Sequence, residues 1–286
     1  MKPNMIVKQL QSLDELKEMQ ELERAVWGME PIPVHQTFTA AKNGGIILGA
    51  YVNGEMAGFS YSFPGFQDGQ TYLCSHMLGV DPGYQNQGLG LLLKEKQREI
   101  ALGKGYTLIT WTFDPLLSLN AYLNLHKLRG VASQYTENLY GAMDDSLNQG
   151  LPTDRFTVSW WIDSEHVDTD QTELNGPPLD KNFILLDFAV GECGYPLAGS
   201  LSDRFPVKVQ TGDAWYVPIP ADFQKMKTSH PEWALDWRLK TRRIFQDLLD
   251  QGFNAVDLKR DIDGICGYYL FVRKEQLSIE RSKSRE

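Results

Sequence analysis

The sequence predicts an α+β protein with a mixed, mostly antiparallel central sheet flanked by helices, followed by a smaller α/β C-terminal region. Three local signals support this fold class. Ser12 and Glu15 have the spacing of a capping box that opens a helix. Asn53-Gly54 separates two apolar runs, which predicts a β-hairpin. A glycine-rich segment, residues 82–90, then joins an apolar run to a second helical pattern, so strands and helices alternate irregularly rather than as repeated βαβ units.

The strands of the N-terminal part are predicted from short apolar and β-branched runs. They cover residues 5–9, 46–52, 56–63, 72–80, 107–113, 131–140 and 155–162. The first helix should end near Gly28, and a second should cover residues 89–102. A third should begin at Asp114-Pro115 and end at Gly130, because aspartate is a favoured N-cap and proline suits the first helical position.

The composition changes beyond residue 163. Residues 163–178 are acidic and polar without apolar periodicity, which indicates a linker or a long surface loop. We therefore predict two domains, residues 1–163 and an accessory region of residues 164–286. The second contains strand-like runs and one amphipathic helix over residues 231–251. Three arginines of this helix are interpreted as a solvated face, with an anion site as the alternative. They are Arg238, Arg242 and Arg243.

Bulk properties argue against several classes of function. With 286 residues, 42% of them hydrophobic, the chain can bury one large core or two modest ones. The formal net charge of −9 argues against a nucleic-acid partner, which requires a basic surface. No window approaches the ~18 apolar residues of a membrane span, and the start lacks the apolar core of a signal peptide. Cys74, Cys193 and Cys266 are far apart, so we expect a cytoplasmic protein without a metal site or disulfide framework.

The segment between Val80 and Gly90 contains the strongest functional signal. It passes from a strand through a turn directly into a helix. Such a junction presents unpaired backbone N–H groups at the positive end of the helix dipole, and these bind phosphate or diphosphate groups. Gly88 and Gly90 allow a ligand to approach the backbone closely. Tight packing of the turn is the alternative, and the spacing matches neither a P-loop nor a dinucleotide-binding fingerprint.

In this context Gln85, Gly88 and Gly90 resemble motif A of the GNAT acetyltransferase superfamily, Gln/Arg-x-x-Gly-x-Gly/Ala. The resemblance extends over residues 5–162. The chain looks most similar to an uncharacterised bacterial branch of the family that carries an extra C-terminal region. The resemblance implies a GNAT-type sheet and acetyl-CoA as co-substrate.

The resemblance also implies which residues hold coenzyme A. The strand before the loop offers backbone groups to the pantetheine arm through Met77, Leu78, Gly79 and Val80. The loop holds the phosphates through Gln85, Asn86, Gln87, Gly88, Leu89 and Gly90. Asn86 departs from the family, in which many members have glycine at this position. Asn120 and Asn124 are expected to face the coenzyme.

Acetyl transfer to an amine benefits from a base, because an alkylamine with a pKa near ~10.4 is mostly protonated at neutral pH. His76 is the candidate base, since it lies four residues before Val80, where some GNAT families place a catalytic histidine. A partly buried structural histidine is the alternative. On an unbroken strand His76 would share a face with Cys74 and Leu78, and a bulge would change this. We do not favour Cys74 as a nucleophile, because GNAT enzymes normally use direct attack.

An acid is helpful rather than essential, because a thiol of pKa roughly 8.5 already leaves as the thiolate. Counting back from Gly130 to the family's usual tyrosine gives His126. Tyr122, one turn earlier, is the alternative acid. A histidine placed at a helix end by the dipole explains His126 equally well.

Together these patterns predict an acyltransferase that moves an acetyl or longer acyl group from coenzyme A to an amine of an unidentified small molecule or peptide. The transfer is expected to proceed by direct attack in a ternary complex. A non-catalytic acyl-CoA sensor or interaction protein is the main alternative, and a structural protein with an empty loop is the third. The C-terminal region is expected to cover the acceptor side or to pair two chains into a homodimer. No membrane partner is expected.

Overall fold

A computed structural model describes residues 4–141, 150–168, 176–203, 205–206, 214–261 and 263–279. These residues form two compact units. The first comprises residues 4–111 and 161–163, and the second comprises residues 112–160 with the described residues from 164 onward. Both units combine mostly antiparallel strands with helices, which confirms the predicted α+β fold class. The predicted domain boundary at residue 163 stays a prediction.

The first unit is built on the strands β1 (Met5–Gln9), β2 (Ile46–Val52), β3 (Glu55–Gln67), β4 (Gln70–Val80) and β5 (Leu108–Phe113). They are hydrogen-bonded in chain order, and the pairs are antiparallel except for β4 with β5, which is parallel. The last two residues of β5 belong to the second unit. The predicted hairpin is confirmed: Asn53 and Gly54 have φ of 52° and 95°, the left-handed conformations that a tight turn between twisted strands requires.

The described helices of this unit are α1 (Leu13–Trp27), α2 (Val34–Lys42) and α3 (Leu89–Gly103). The capping box of α1 is confirmed, because Ser12 and Glu15 each accept the other's backbone N–H. The helix ends at Gly28, whose φ is 67°. The sequence does not predict α2, because this helix follows Pro33 without a side-chain cap and buries only Thr37.

The core of the first unit lies where α1 and α3 pack on the sheet. Leu16 and Met19 of α1 contact the apolar face that includes Phe59. Leu89 and Leu93 of α3 are also buried, and α3 packs against β2, β3 and β4. This packing holds the first turn of α3 next to the end of β4.

The second unit contains the strands β6 (Val131–Thr136), β7 (Arg155–Trp161), β8 (Leu186–Val190), β9 (Pro196–Leu201), β10 (Ala214–Pro220), β11 (Phe253–Arg260) and β12 (Cys266–Arg273). The last residue of β7 belongs to the first unit. Five of them are ordered β7-β6-β11-β12-β10 with antiparallel pairing. The strands β8 and β9 form a separate antiparallel pair. The residues predicted to form the accessory region therefore supply most of the strands of this unit.

The described helices of the second unit are α4 (Ser118–Ala121), a π-helical segment (Tyr122–Lys127), α5 (Glu165–Asp168), α6 (Phe223–Ser229) and α7 (Pro231–Asp250). The predicted amphipathic helix is confirmed as α7, which buries Trp237, Ile244 and Leu248. None of the helices that the structure describes is long and apolar enough to cross a membrane.

The predicted helix start at residues 114–115 is wrong. Asp114 Oδ1 accepts the backbone N–H of Leu116 at 2.9 Å, so the aspartate closes a turn instead of capping a helix, and α4 begins only at Ser118. The end of the helical segment also differs by one residue from the prediction. Arg129, not Gly130, takes the left-handed conformation, with φ of 60°.

The interpretation of the α7 arginines as a solvated face is wrong for Arg238. Its side chain is 1% exposed, and Nη2 donates to Asp114 Oδ2 at 2.6 Å. Arg242 donates from Nε and Nη2 to the buried carboxylate of Asp154 at 2.8 and 2.9 Å. Arg243 is exposed, as expected. Charge pairing with aspartates far away in the chain explains why a helical projection does not predict the buried positions.

The start of the predicted linker is not a surface loop. Asp163, Ser164 and His166 are buried, and the backbone N–H of His166 donates to the carbonyl of Ser278 at 3.0 Å. The linker prediction is therefore wrong for residues 163–168. The following part of the predicted linker, residues 169–175, lies outside the described residues.

Candidate functional site

Strand β4 contains a bulge at His76. Two consecutive residues of β3 pair with Met77 and Ser75, so His76 is an extra residue on β4. The extra residue changes which side chains share a face. By this register Cys74 and Met77 lie on one face of the sheet, and Ser75 and Leu78 lie on the other. Of the two cases that the sequence left open, the bulged strand is the one observed, and Cys74 and Leu78 lie on opposite faces.

Strands β4 and β5 separate shortly after they begin to pair. Their partners are Leu73 with Ile109 and Cys74 with Thr110, and no later pair joins the two strands within the described residues. Strand β4 nevertheless continues to Val80. The opening between residues 75–80 and Trp111 is called here the β4–β5 fork. Along this fork the edge of β4 that faces β5 has backbone groups that pair with no strand in the described part of the chain.

The turn between β4 and α3 is held by its own polar side chains. Asp81 Oδ1 accepts the N–H of Gly83 at 2.7 Å and starts a short 3-10 turn, Pro82–Tyr84. The amide of Gln85 donates to the carbonyl of Val80, and the amide of Gln87 donates to the carbonyl of Gly83. The two glutamine side chains bond to carbonyl groups, so they leave the backbone N–H groups of residues 85–88 available.

Two residues of the turn have left-handed backbone conformations. Asn86 has φ of 60° and Gly88 has φ of 87°. Asparagine tolerates this region better than most residues, which explains how Asn86 replaces the glycine that is common in the resembling family. The departure at Asn86 therefore does not prevent the turn from forming.

The backbone amides at the start of α3 lack internal acceptors. Within the part of the chain that the structure describes, none of the N–H groups of residues 85–90 has a hydrogen-bond acceptor, and the N-cap Gly88 provides no side-chain cap. Residues 85–88 are exposed, and a Cβ added at Gly88 would meet nothing within 4 Å. The helix dipole adds partial positive charge at this end. The turn therefore fits a diphosphate group of the kind that coenzyme A carries.

The residues predicted to face the pantetheine arm lie along the fork. Met77, Leu78 and Val80 are partly buried, and Gly79 is buried. A Cβ at Gly79 would lie 2.6 Å from Cε1 of Phe59, so glycine is required for this ring to pack on the strand. The loop and the fork are thus adjacent parts of one continuous stretch of backbone.

His76 lies on the face of the sheet that carries aromatic side chains. Its ring centre is 6.0 Å from that of Tyr61 and 5.7 Å from that of Phe63. Although His76 is exposed overall, partial burial of the imidazole beside these rings lowers its pKa below the ordinary value. At neutral pH the ring is therefore uncharged, and this is the form that accepts a proton.

Cys74 is half-buried, and burial raises the pKa of its thiol. The thiol is therefore protonated at neutral pH and is a poor nucleophile. This agrees with the interpretation that disfavours a cysteine-bound acyl intermediate. Among the described residues, no group of three or more histidine, cysteine, aspartate or glutamate side chains is arranged to hold a metal ion.

In the second unit, the π-helical segment brings Tyr122 and His126 together. Their rings stack with centres 4.3 Å apart and planes 18° apart. The guanidinium carbon of Arg260 lies 3.7 Å from the centre of the Tyr122 ring. Asp257 Oδ1 lies 2.9 Å from His126 Nδ1. The two acid candidates therefore form one cluster, and side chains of β11 complete it.

The predicted coenzyme-facing asparagines also belong to the second unit. Asn120 is exposed, whereas Asn124 is 6% exposed and its carbonyl accepts the N–H of Gly130 at 2.9 Å. The carbonyl of Asn124 thus closes the end of the π-helical segment.

Two polar groups that were not predicted from the sequence lie beside the candidate residues. Asp257 contacts His126 across 131 positions of the chain, and no local pattern indicates such a contact. Lys94 is 3% exposed and lies beside Ser75. Its position next to Leu93, an apolar residue on the inner side of α3, is the one signal that points to burial.

Residues 13–130 match the model of the acetyltransferase (GNAT) family. The match includes the bulged strand, the turn with its unpaired amides, and α3. Comparison with curated proteins gives no significant match.

Solved structures of acetyltransferases resemble about half of the chain. The ribosomal-protein-S18-alanine N-acetyltransferase from Escherichia coli is 18% identical, with a TM-score of 0.45, over 56% of this chain and 94% of that protein. An N-acetyltransferase from Staphylococcus aureus Mu50 is 16% identical, with a TM-score of 0.47, over 56% and 99%. The protein yncA from Salmonella typhimurium, solved with its cofactor acetyl-CoA, is 16% identical, with a TM-score of 0.47, over 58% and 98%. At these values the comparisons add no argument about a substrate. The segment of residues 13–130, which contains the turn and the β4–β5 fork, is thus similar to the GNAT family of acetyltransferases.

Proposed function

We propose that this chain transfers an acetyl or longer acyl group from coenzyme A to an amine of a small molecule or peptide. The observation that carries the proposal is the row of backbone amides over residues 85–90, which have no acceptor among the described residues and lie at the positive end of α3. Acetyl-CoA, when bound, supplies the acyl group as a thioester. The residues of this chain bind and orient the thioester, and they remove a proton from the acceptor amine.

Binding uses two adjacent stretches of backbone. The amides of residues 85–90 hold the diphosphate, because several N–H donors and the α3 dipole stabilise negative charge together. Residues 77–80 offer unpaired backbone groups of the β4 edge to the amide groups of the pantetheine arm, in the manner of an added strand. An N–H of this edge near Leu78 also polarises the thioester carbonyl. We further propose that Asn120 and Asn124 face the coenzyme.

His76 acts as the base in this proposal. The imidazole is uncharged at neutral pH because partial burial lowers its pKa, and its exposed position leaves it accessible to a substrate. It takes a proton from the acceptor ammonium group, directly or through water, so that the neutral amine can attack. Direct attack is favoured over a cysteine intermediate because the Cys74 thiol is protonated at neutral pH.

The departing thiolate receives a proton from the pair formed by Tyr122 and His126. For His126 to act as the acid, both ring nitrogens carry a proton: Nδ1–H is held by Asp257 and Nε2–H passes to the thiolate, so the ring leaves the step as neutral imidazole. A proton donor at this position gives a modest advantage, because a thiolate already leaves without full protonation. His126 is our first choice for the proton donor and Tyr122 is the second.

Two measurements test the proposal. A thermal-shift titration with acetyl-CoA should raise the melting temperature, since ligand at 100 times its dissociation constant adds about 2.7 kcal/mol of stability. A screen of amines and amino acids, followed by release of free thiol, should then identify acceptors. No shift at millimolar acetyl-CoA contradicts binding altogether. A clear shift without thiol release for any amine favours the alternative, a non-catalytic acyl-CoA sensor.

A further inference from the structure

Lys94 is a buried amine on the inner side of α3. Its side chain is 3% exposed, and Nζ lies 2.8 Å from Ser75 Oγ and 3.2 Å from Gln97 Oε1. Gln97 is fully buried, and its Nε2 donates to the same Ser75 Oγ at 3.1 Å. The three side chains therefore form a closed hydrogen-bonded cluster that joins α3 to β4.

The cluster lies at the vertex of the β4–β5 fork. The last paired residues of the two strands are Cys74 and Thr110. Ser75 and Trp111 are the residues that directly follow them, and Lys94 contacts both. Its Nζ is 3.5 Å from the centre of the Trp111 ring. The lysine therefore bridges the first position at which the strands no longer pair.

Stability alone does not explain a lysine at this position. Burial disfavours the ammonium form and lowers the pKa of Lys94 well below its ordinary value. A methionine of similar length would fill the same space without this desolvation penalty. A buried amine that is unfavourable for folding, placed where two strands separate, indicates a role in the geometry of the fork.

We propose that Lys94 is a positioning residue that keeps the β4–β5 fork open for the acyl-thioester end of coenzyme A. Parallel strands that begin to pair tend to continue, because each further pair satisfies backbone groups on both strands. By holding Ser75 and Trp111 on either side of its amine, Lys94 opposes continued pairing after Cys74 and Thr110. The β4 edge then remains available to the arm of the ligand. This inference rests on the proposed function.

The test compares two ligands that use different parts of the site. Acetyl-CoA requires both the loop amides and the fork, whereas 3′-phospho-ADP carries the diphosphate and requires the loop amides alone. For Lys94→Met, calorimetric titration should show acetyl-CoA binding weakened by about tenfold or more, the size expected for loss of hydrogen bonds to a charged or strongly polar group. Binding of 3′-phospho-ADP should change by less than about twofold. The matched control is Lys96→Met, which removes a more exposed lysine of the same helix and should leave both affinities unchanged.

The outcomes separate this inference from the function on which it rests. If Lys94→Met binds both ligands like the wild type, or weakens both equally, Lys94 has no specific role at the fork and the inference is overturned. If the wild type binds neither ligand, the proposed function fails and the inference fails with it. Should Lys94→Met not fold, Ser75→Ala replaces it, because this variant removes the β4 contact and keeps the lysine. The same selective loss of acetyl-CoA affinity is expected, and its absence overturns the inference.

Discussion

His126 Nδ1 lies 2.9 Å from Asp257 Oδ1, and this contact joins the π-helical segment to strand β11. Asp257 follows a register shift in β11, where an irregular strand turns its side chain towards the helix. A π-helical turn is itself uncommon and is found frequently at functional sites. Two local irregularities thus meet at one histidine, which the sequence singled out as an acid candidate.

If His126 is the acid, replacing His126 or its partner Asp257 should lower the turnover rate and should not change the binding of acetyl-CoA. Replacing His126 with Asn should lower kcat by roughly tenfold and leave the KM for acetyl-CoA unchanged, at the low end of general acid effects because the thiolate is a good leaving group. Asp257→Asn should lower kcat in the same direction by a smaller factor. Steady-state thiol release measures both. Asp250→Asn, a change at an exposed position, is the control and should have the wild-type kcat. If His126→Asn and Asp257→Asn also have the wild-type kcat, His126 is not the acid.

His76→Ala should lower kcat/KM by about 10²-fold or more, as expected for loss of a general base, while acetyl-CoA binding is retained. Because burial lowers the pKa of His76, the base stays unprotonated below the pH at which an ordinary histidine would be protonated. The ratio of wild-type to variant kcat/KM should therefore stay above half of its pH 8 value at pH 6.5 and should fall further at lower pH. The exposed His35→Ala provides the control. A ratio already halved at pH 6.5 contradicts this assignment.

Gly88→Ala should separate the strain of the turn from its role in binding. Gly88 and Gly105 both have φ of 87°, and an added Cβ meets nothing within 4 Å at either site. Each alanine variant should therefore lose a similar ~1–2 kcal/mol of stability from the left-handed backbone conformation. Acetyl-CoA affinity should fall by about tenfold or more in Gly88→Ala and stay unchanged in Gly105→Ala, because only the methyl group at residue 88 would occupy space through which the diphosphate approaches the loop. Urea unfolding and calorimetry measure the two effects, and equal affinities would place the diphosphate elsewhere.

His166 should make the protein sensitive to acid. Burial, and secondarily the charge of Arg129, lowers the pKa of His166 to about 4. In the unfolded chain the ordinary value is 6.5, so unfolding takes up a proton between these values. Its contribution to stability is complete above pH 6.5 and is lost as the pH falls towards 4, with about 2 kcal/mol lost by pH 5.

His166→Phe removes this titration and also removes Nε2, which has no hydrogen-bond partner among the described residues. Between pH 7.5 and pH 5 the free energy of unfolding of the variant should therefore decrease by about 2 kcal/mol less than that of the wild type. Urea midpoints at the two pH values measure the effect. His35→Gln, at an exposed site, should reproduce the wild-type dependence. A wild-type protein whose stability does not change between these pH values would contradict the assignment.

The features predicted most accurately from the sequence are those that depend on residues close together in the chain. The capping box of Ser12, the Asn53-Gly54 hairpin and the glycine turn before α3 each depend on side chains a few positions apart, and the structure contains all three. The helix end was predicted one residue late, at Gly130, because glycine is the usual residue for a left-handed helix end, whereas Arg129 takes that conformation after the π-helical segment.

Interactions between distant residues were not predictable in the same way. The pairing of Arg238 with Asp114 spans 124 positions and turns an apparent surface arginine into a buried one. Asp114 was expected to cap a helix, and the same carboxylate instead closes a turn and neutralises the guanidinium. Periodicity indicates which side of a helix is buried, but it cannot indicate that a charged partner will be present there.

The second unit is built from two separate segments of the chain, and this limits how the protein can be truncated. Residues 112–130, the last part of the segment that matches the GNAT family, fold together with residues that follow 163. A fragment that ended at residue 163 would lose Arg238 and Asp257 and would leave Phe156 without the rings of Phe245 and Tyr269 that now cover it. The C-terminal half is consequently no removable appendage, and any minimal version of this protein must retain it.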